Sequence, residues 1–134
     1  MNILYAEDSN EKYMSVMMAL KPEKTINIKR VSSVFDAIDA IKNTDEPFDA
    51  ILTDMRYPLS NVGDVDDEAG IELIHRLKEE NVDIPVIVLS SVNYKIDEAH
   101  KTLWYSNLNP WDKELISVLK NIAYPVGDSD RPAG

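Results

Sequence analysis

The sequence has 134 residues, a length that suggests a single domain. Its 14 Lys and Arg against 24 Asp and Glu give a net charge of −10, which argues against direct binding to nucleic acid phosphate and favours a divalent cation or a basic protein surface as companion. No apolar run approaches the roughly 18 residues of a membrane span, the N-terminus does not resemble a secretory signal, and the lack of cysteine fits a cytoplasmic protein.

Apolar residues in the first half of the chain predict alternating strands and helices. Residues 2–6 form a short apolar run that ends at an acid pair, which indicates a first strand. A helical stripe over residues 13–20 follows and stops at Pro22. Residues 26–31 alternate as a strand does, and residues 34–41 carry a second helical stripe after a serine pair suited to capping it.

The second half continues the same alternation. Residues 48–53 indicate a buried third strand, and residues 71–77 a third helix. Residues 84–90 are a β-branched run bounded by a proline, typical of a strand that is buried on both faces. The remaining predictions are a short helix over 94–101, a fifth strand over 103–108, a last helix over 115–122 and a disordered tail over 124–134.

This order of elements predicts the fold class. Strand and helix alternate five times, which implies a parallel sheet with helices on both faces. We expect a three-layer, flavodoxin-like (βα)5 fold with the strand order 2-1-3-4-5. One domain would span residues 1–123, and residues 124–134 would form a flexible C-terminal tail.

Acidic residues follow two strands that are neighbours in this order. Glu7 and Asp8 follow the first strand and Asp54 follows the third, so the three carboxylates converge beyond the strand ends. A single acid there is more often a helix cap or a solvated loop residue, but three at matching positions favour a site. Their mutual repulsion would be relieved by Mg²⁺. Ser90 ends the fourth strand at the same edge, with a hydroxyl that can donate to a phosphate oxygen.

Three segments together resemble one known family. "ILYAEDSN", "ILTDMRYP" and "IPVIVLSS" are similar to the first, third and fourth strands of response-regulator receiver domains, the phospho-acceptor modules of two-component signalling. The similarity runs over residues 2–123. It implies that Asp54 is the phospho-acceptor, Ser90 the switch hydroxyl and Ser91 the small residue beside the phosphate, with Pro58 at the family's proline.

The resemblance also implies a mechanism. Asp54 would attack the phosphorus of a phosphohistidine on a sensor histidine kinase or phosphotransfer protein. Mg²⁺ would be held by Asp8, Asp54 and the backbone carbonyl of Arg56, with Glu7 acting through water. Ser90 would then move and reshape the surface around the fourth helix and fifth strand, which makes the protein a phosphorylated signalling switch and not an enzyme, apart from slow self-dephosphorylation.

Two positions after the fourth strand depart from the family pattern. Asn109 stands before Pro110 where the family usually has a lysine, although the Asn–Pro bond is a candidate for the cis form that the family's Lys–Pro bond adopts. Ser106 stands where the family has a switch aromatic. Tyr105 is one residue away and is expected on the opposite face of the strand, so we interpret it and Trp104 as packing residues.

Arg56 is our candidate for a replacement cation. It follows the acceptor by two residues, and its guanidinium could pair with Glu7 or with the phosphate. Lys95 is a weaker candidate, and the simpler alternative is that Arg56 is an exposed loop residue.

The acidic segment 59–69 is longer than the usual family loop. A solvated loop that ends in a helix N-cap at Asp66 or Asp67 explains it better than a calcium site, and a loop that biases partner choice is the other alternative.

Two main functional hypotheses follow. The first is a stand-alone receiver that is phosphorylated on Asp54, and the alternative is a pseudo-receiver, an interaction module that is not productively phosphorylated. An Asp-dependent phosphatase would need a second acid where Arg56 stands, and a flavodoxin would need a Ser/Thr/Gly-rich phosphate loop after the first strand. We interpret His75 and His100 as surface residues.

Overall fold

A computed structural model describes residues 1–125 of the chain. Its core is one sheet flanked by helices, with a small hairpin beside it. The strands and helices, in chain order, are β1 (Asn2–Ala6), α1 (Asn10–Leu20), β2 (Asn27–Val31), α2 (Val34–Lys42), β3 (Ala50–Thr53), β4 (Tyr57–Pro58), β5 (Val65–Asp66), α3 (Ala69–Glu79), β6 (Val86–Ser90), β7 (Lys101–Trp104) and α4 (Trp111–Ala123).

The sheet has five parallel strands in the order β2-β1-β3-β6-β7. The two short strands β4 and β5 pair only with each other, in an antiparallel hairpin. With that hairpin set aside, the order is the predicted 2-1-3-4-5, and the predicted fold class is confirmed. The hairpin itself lies in a segment for which the sequence predicted only a polar loop.

Helices cover both faces of the sheet, as predicted. Successive strand residues point to opposite faces, so Ile3 and Tyr5 of β1 pack with α1 and α4, whereas Leu4 and Ala6 pack with α2 and α3. Two apolar clusters result, one on each side, and the three central strands β1, β3 and β6 between them are almost fully buried. All strand ends that carry the predicted site therefore stand on a rigid, buried support.

The helix predicted over residues 94–101 does not form. Residues 91–100 are an irregular loop with short turns, such as the bond from Ala99 N–H to the Ile96 carbonyl at 3.2 Å. Tyr94, Ile96 and Ala99 pack against the core, but their spacing does not give the recurring three- and four-residue steps of a helical stripe. The fifth sheet strand also starts earlier than predicted, at Lys101.

The acidic segment enters α3 in a different way from the prediction. The N-cap is Glu68, whose side chain makes no capping hydrogen bond, so the expected cap at Asp66 or Asp67 is wrong. Asp66 Oδ1 instead accepts from the Glu68 N–H at 2.8 Å, just before the helix.

The structure tests only part of the prediction of a flexible C-terminal tail, because it describes residues 1–125. Most of the predicted tail over 124–134 lies outside the described residues, and the domain boundaries remain a prediction. Within residues 1–125, no helix is both long and apolar enough to cross a membrane.

Gly70, near the start of α3, lies against the end of β3. A Cβ added there would come 2.6 Å from the Asp54 carbonyl oxygen and 3.0 Å from Met55 Sδ. The Gly70 N–H also donates to the Met55 carbonyl at 3.1 Å. The close approach of α3 to the backbone of Asp54 therefore requires a glycine.

We predict that Gly70→Ala lowers the free energy of unfolding by about 1–3 kcal/mol, because the contact with the Asp54 carbonyl is overpacked. Gly63→Ala is the matched control, since its Cβ would approach nothing nearer than Ser60 Oγ at 3.3 Å, and we expect it to change stability by less than about 0.5 kcal/mol. Urea denaturation of both variants measures the difference. Equal stability of Gly70→Ala and the wild type would contradict the packing described.

Candidate functional site

The carboxyl ends of β1 and β3 meet at one edge of the sheet. The Asp54 N–H donates to the Ala6 carbonyl at 3.1 Å, which joins the end of β3 to the end of β1. The Glu7 N–H donates to the Val31 carbonyl at 2.9 Å and so extends the pairing of β1 with β2. The three predicted acids therefore start from neighbouring strand ends, in the order that the topology requires.

The three carboxylates act on a common region. Burial raises the pKa of Tyr57, and the charges of Asp54, Glu7 and Asp8 raise it further against the opposing hydrogen bond from Thr53. The Tyr57 hydroxyl is buried and lies 2.7 Å from Thr53 Oγ1. The pKa of the buried Tyr57 hydroxyl therefore responds to the charges of all three acids.

Glu7 is the buried member of this group. Its side chain is fully inaccessible, and it accepts from the Tyr5 hydroxyl at 3.2 Å and from the Ser9 N–H at 3.1 Å. Burial raises the pKa of Glu7 to about 7, although the Lys12 ammonium opposes the shift; the nearby charge of Asp54 adds to it. Asp8, in contrast, is exposed to solvent.

A lysine that the sequence analysis did not consider lies at the centre of the site. Lys12 Nζ is 3.2 Å from Asp54 Oδ1 and 3.5 Å from Glu7 Oε1. It also donates to the Leu89 carbonyl of β6 at 2.5 Å. The side chain is only 10% exposed, so these three oxygens, and not water, provide most of the interactions that stabilise the ammonium charge.

The local sequence explains how Lys12 reaches this position. Ser9 caps α1, with its hydroxyl accepting from the Lys12 N–H at 3.3 Å, so Lys12 falls in the first helical turn. Val16 and Leu20, four and eight residues later, are buried on the same face of α1. A cation at a helix N-terminus is disfavoured by the helix dipole. The two carboxylates and the carbonyl therefore provide the interactions that hold Lys12 there.

Asp54 combines a fixed oxygen with access from solvent. Its Oδ1 accepts from the Met55 N–H at 2.7 Å and is the oxygen paired with Lys12. The side chain keeps 17% of its surface exposed, whereas Glu7 keeps none. Of the two carboxylates bound to Lys12, Asp54 is therefore the one that an incoming group can reach.

The two predicted serines differ in their exposure. Ser90 is 3% exposed at the end of β6, and its hydroxyl accepts from the Val92 N–H at 3.2 Å. That hydroxyl still carries a proton that it can donate. Ser91 is exposed, and its carbonyl accepts from the indole N–H of Trp104 at 3.1 Å.

The structure does not support Arg56 as the replacement cation. Its Nε lies 2.7 Å from Asp67 Oδ1 in the acidic segment, and its side chain is 62% exposed. The short hairpin β4–β5 places these two residues beside each other at the surface. Lys95 is exposed on the loop before β7. The cation that pairs with Asp54 comes instead from α1.

The position before Pro110 has a structural role. The Asn109 amide donates to the Trp104 carbonyl at 2.8 Å and to Glu114 Oε1 at 2.7 Å, and so ties β7 to α4. The hypothesis of a cis Asn109–Pro110 bond is wrong, because every peptide bond within residues 1–125 is trans. Ser106 Oγ accepts from the Leu108 N–H at 3.1 Å, in the turn before α4.

Tyr105 contacts the candidate site because its ring packs against the Lys12 ammonium. Lys12 Nζ is 5.1 Å from the centre of the Tyr105 ring, within the range of a cation–π interaction. The Tyr105 ring lies 4.8 Å from that of Trp111, the first residue of α4. An aromatic pair thus connects Lys12 to the helix that follows β7.

The side chains at this edge of the sheet provide two carboxylates as candidate metal ligands, Asp8 and Asp54. Within residues 1–125, no three acidic or histidine side chains are grouped so as to hold a metal ion. Mg²⁺ commonly uses one or two protein carboxylates and takes its other ligands from water and phosphate. Asp8 and Asp54 are hard oxygen donors of that kind, so the pair fits Mg²⁺. Glu7 already has its partners in Tyr5, Ser9 and Lys12.

The two histidines lie at the surface, as the sequence analysis expected. His75 is exposed on α3, with Nε2 3.6 Å from Glu98 Oε2, and His100 is exposed before β7.

We predict that Lys12→Met lowers the free energy of unfolding by about 3 kcal/mol, because it leaves the buried Glu7 carboxylate without its cation. The double variant Glu7→Gln with Lys12→Met should recover most of that loss, since no buried charge remains. Lys113→Met removes an exposed lysine and should change stability by less than about 0.5 kcal/mol. Urea denaturation measures all three, and a Lys12→Met protein as stable as the Lys113→Met control would contradict the buried pairing.

Comparisons with solved structures show the same fold in receiver domains. The receiver domain of the Francisella response regulator 1452 superposes with a TM-score of 0.70 at 21% identity, covering 91% of this chain and 96% of that chain. The Thermotoga maritima response regulator TrrA, in complex with Mg²⁺ and beryllofluoride, gives 0.69 at 17% identity, covering 90% and 97%.

A longer protein contains the same fold as one part. RcsB from Salmonella enterica serovar Typhimurium, bound to the promoter rprA with beryllofluoride, gives a TM-score of 0.71 at 20% identity, covering 92% of this chain but only 61% of that chain. A scan against protein-family models and a search of curated proteins found no match. The chain therefore has the receiver-domain fold, at a low level of sequence identity.

Proposed function

We propose that this chain acts as a response-regulator receiver, which accepts a phosphoryl group on Asp54 in the cytoplasm and changes a protein-binding surface in response. The observation that carries the proposal is the position, solvent exposure and hydrogen bonding of the Asp54 carboxylate. Its carboxylate stands at the end of β3, partly open to solvent, with one oxygen held by Lys12 and by the Met55 N–H. A fixed, accessible carboxylate beside a buried cation suits nucleophilic attack on phosphorus.

The proposed step transfers one phosphoryl group. Both protein contacts of the carboxylate fall on Oδ1, so Oδ2 is the oxygen that we assign as nucleophile. Oδ2 forms a bond to the phosphorus of a phosphohistidine as the phosphorus–nitrogen bond breaks, and the imidazole nitrogen keeps the electron pair and takes a proton from solvent. The product is an acyl phosphate on Asp54. The donor would be a sensor histidine kinase or a phosphotransfer protein.

Asp8, Asp54 and the backbone carbonyl of Arg56 are the groups that we propose to hold Mg²⁺. When bound, the ion supplies neutralisation of the charge on the transferring phosphoryl group. The binding of Mg²⁺ and beryllofluoride by TrrA, which shares this fold, supports the assignment. We propose that Glu7 does not bind the metal ion and instead positions the Lys12 ammonium.

Ser90 is the hydroxyl that we propose to bind the phosphoryl oxygens after transfer. It is buried at the end of β6, the strand next to β3, and its proton is available for donation. Movement of Ser90 would shift the loop over 91–100, because this loop follows Ser90 directly in the chain. The loop stands where the sequence predicted a helix before β7. We therefore propose that this loop, together with β7, forms the surface that a downstream protein binds, with the small Ser91 leaving room beside the phosphate.

A pseudo-receiver is the second candidate function. The observation that favours it is Asn109, whose amide is engaged by β7 and α4 and carries no charge for the phosphate. In that alternative the chain keeps its binding surface, and the pairing of Lys12 with Asp54 is permanent.

We predict that incubation with Mg²⁺ and acetyl phosphate adds the mass of one phosphoryl group to the wild type and none to Asp54→Asn. Arg56→Ala should be labelled at the wild-type rate, because Arg56 is engaged by Asp67 at the surface. Intact-mass spectrometry over time measures both rates.

Failure of the wild type to gain any mass, together with unchanged NMR spectra on addition of Mg²⁺ and beryllofluoride, would overturn the phospho-acceptor proposal in favour of the pseudo-receiver. Slower labelling of Arg56→Ala would instead show that the Arg56 side chain contributes to phosphoryl transfer.

A further inference from the structure

We propose that Lys12, from the first turn of α1, is the cation that contacts the phosphoryl group on Asp54, in place of the lysine missing at Asn109. This inference rests on the proposed function and names a further residue of the same site. It assigns the role to a different element of the fold: the charge comes from the helix after β1 and not from the end of β7.

The contacts of Lys12 connect the acceptor to two other strands. Its ammonium has three N–H donors, and three oxygens lie around it, from Asp54 after β3, Glu7 after β1 and Leu89 in β6. Among the described residues, it is the cationic side chain that forms an ion pair with Asp54. No repositioning of another chain segment is needed for it to meet a group attached to that carboxylate.

Phosphorylation changes what surrounds the ammonium. An acyl phosphate brings more negative charge than the carboxylate, along with further acceptor oxygens. Lys12 is fixed before the reaction by Glu7 and Leu89, so little reorganisation is required as negative charge moves onto Asp54. The ammonium is therefore suited both to the transfer step and to binding the product.

A purely structural role for Lys12 is the competing explanation. In that case its only task is to compensate the buried Glu7, whose carboxylate lies 3.5 Å away. Two features favour the functional role. Lys12 lies closer to the partly exposed Asp54, at 3.2 Å, and it lies at a helix N-terminus, where a cation is otherwise unfavourable.

The aromatic neighbours give the lysine a connection to α4. Lys12 lies 5.1 Å from the Tyr105 ring centre, and Tyr105 packs on Trp111 at the start of α4. A shift of the ammonium toward phosphoryl oxygens alters its interaction with the Tyr105 ring. Trp111 thus provides a signal that reports on Lys12 separately from the labelling of Asp54.

The experiment measures acetyl-phosphate labelling in Mg²⁺ by intact mass for two matched pairs: the wild type against Lys12→Met, and Glu7→Gln against Glu7→Gln with Lys12→Met. The second pair removes the buried carboxylate, so a structural role for Lys12 no longer affects the comparison. We expect labelling to slow by about tenfold or more within each pair, because an electrostatic contact to the transferring group is lost. Lys113→Met is the control for the loss of a lysine charge and should label at the wild-type rate.

The NMR signal of the Trp111 indole N–H supplies the second readout. We expect beryllofluoride with Mg²⁺ to shift it in the wild type and to leave it unshifted in both Lys12→Met proteins. Equal labelling rates within both pairs, with the Trp111 shift retained, would overturn the role of Lys12 while the acceptor role of Asp54 stands. Absence of labelling in the wild type would remove the proposed function, and this inference with it.

Discussion

One buried ammonium group holds the candidate site together. Lys12 Nζ lies between the carboxylates of Glu7 and Asp54 and donates to a backbone carbonyl of β6. Without it, two like charges would face each other at neighbouring strand ends, one of them fully buried. The arrangement of β1, β3 and β6 at this edge of the sheet therefore depends on a cation, and the chain supplies one from its own first helix.

This arrangement divides the acids into two kinds. Glu7 is enclosed, its pKa is raised to about 7 by burial, and its partners belong to the protein. Asp54 shares the same lysine but remains partly open, with Gly70 allowing α3 to pass close to its backbone. An enclosed carboxylate that positions the cation and an open one that faces solvent are suited to different tasks, and only the open one suits attack on an incoming group.

Much of the fold was predictable because strand burial leaves a clear pattern. The runs over residues 2–6 and 48–53, with the acids after them, correctly indicated two strands that pair in the sheet. The loop over 91–100 was mistaken for a helix because its few apolar residues allow several conformations. Lys12 was missed although its spacing to Val16 and Leu20 places it on the buried face of α1. Its charge suggested solvent, and only the three-dimensional arrangement shows which oxygens surround it.

The central claim is that Lys12 serves the phosphoryl group on Asp54. The most direct measurement is a crystal structure of the protein with Mg²⁺ and beryllofluoride, in which the fluorides occupy the places of phosphoryl oxygens. Our account predicts an adduct on Asp54 Oδ2, with Lys12 Nζ within hydrogen-bonding distance of a fluoride. An adduct that Lys12 does not contact, with the ammonium still bound only to Glu7 and Leu89 or turned toward solvent, would contradict it.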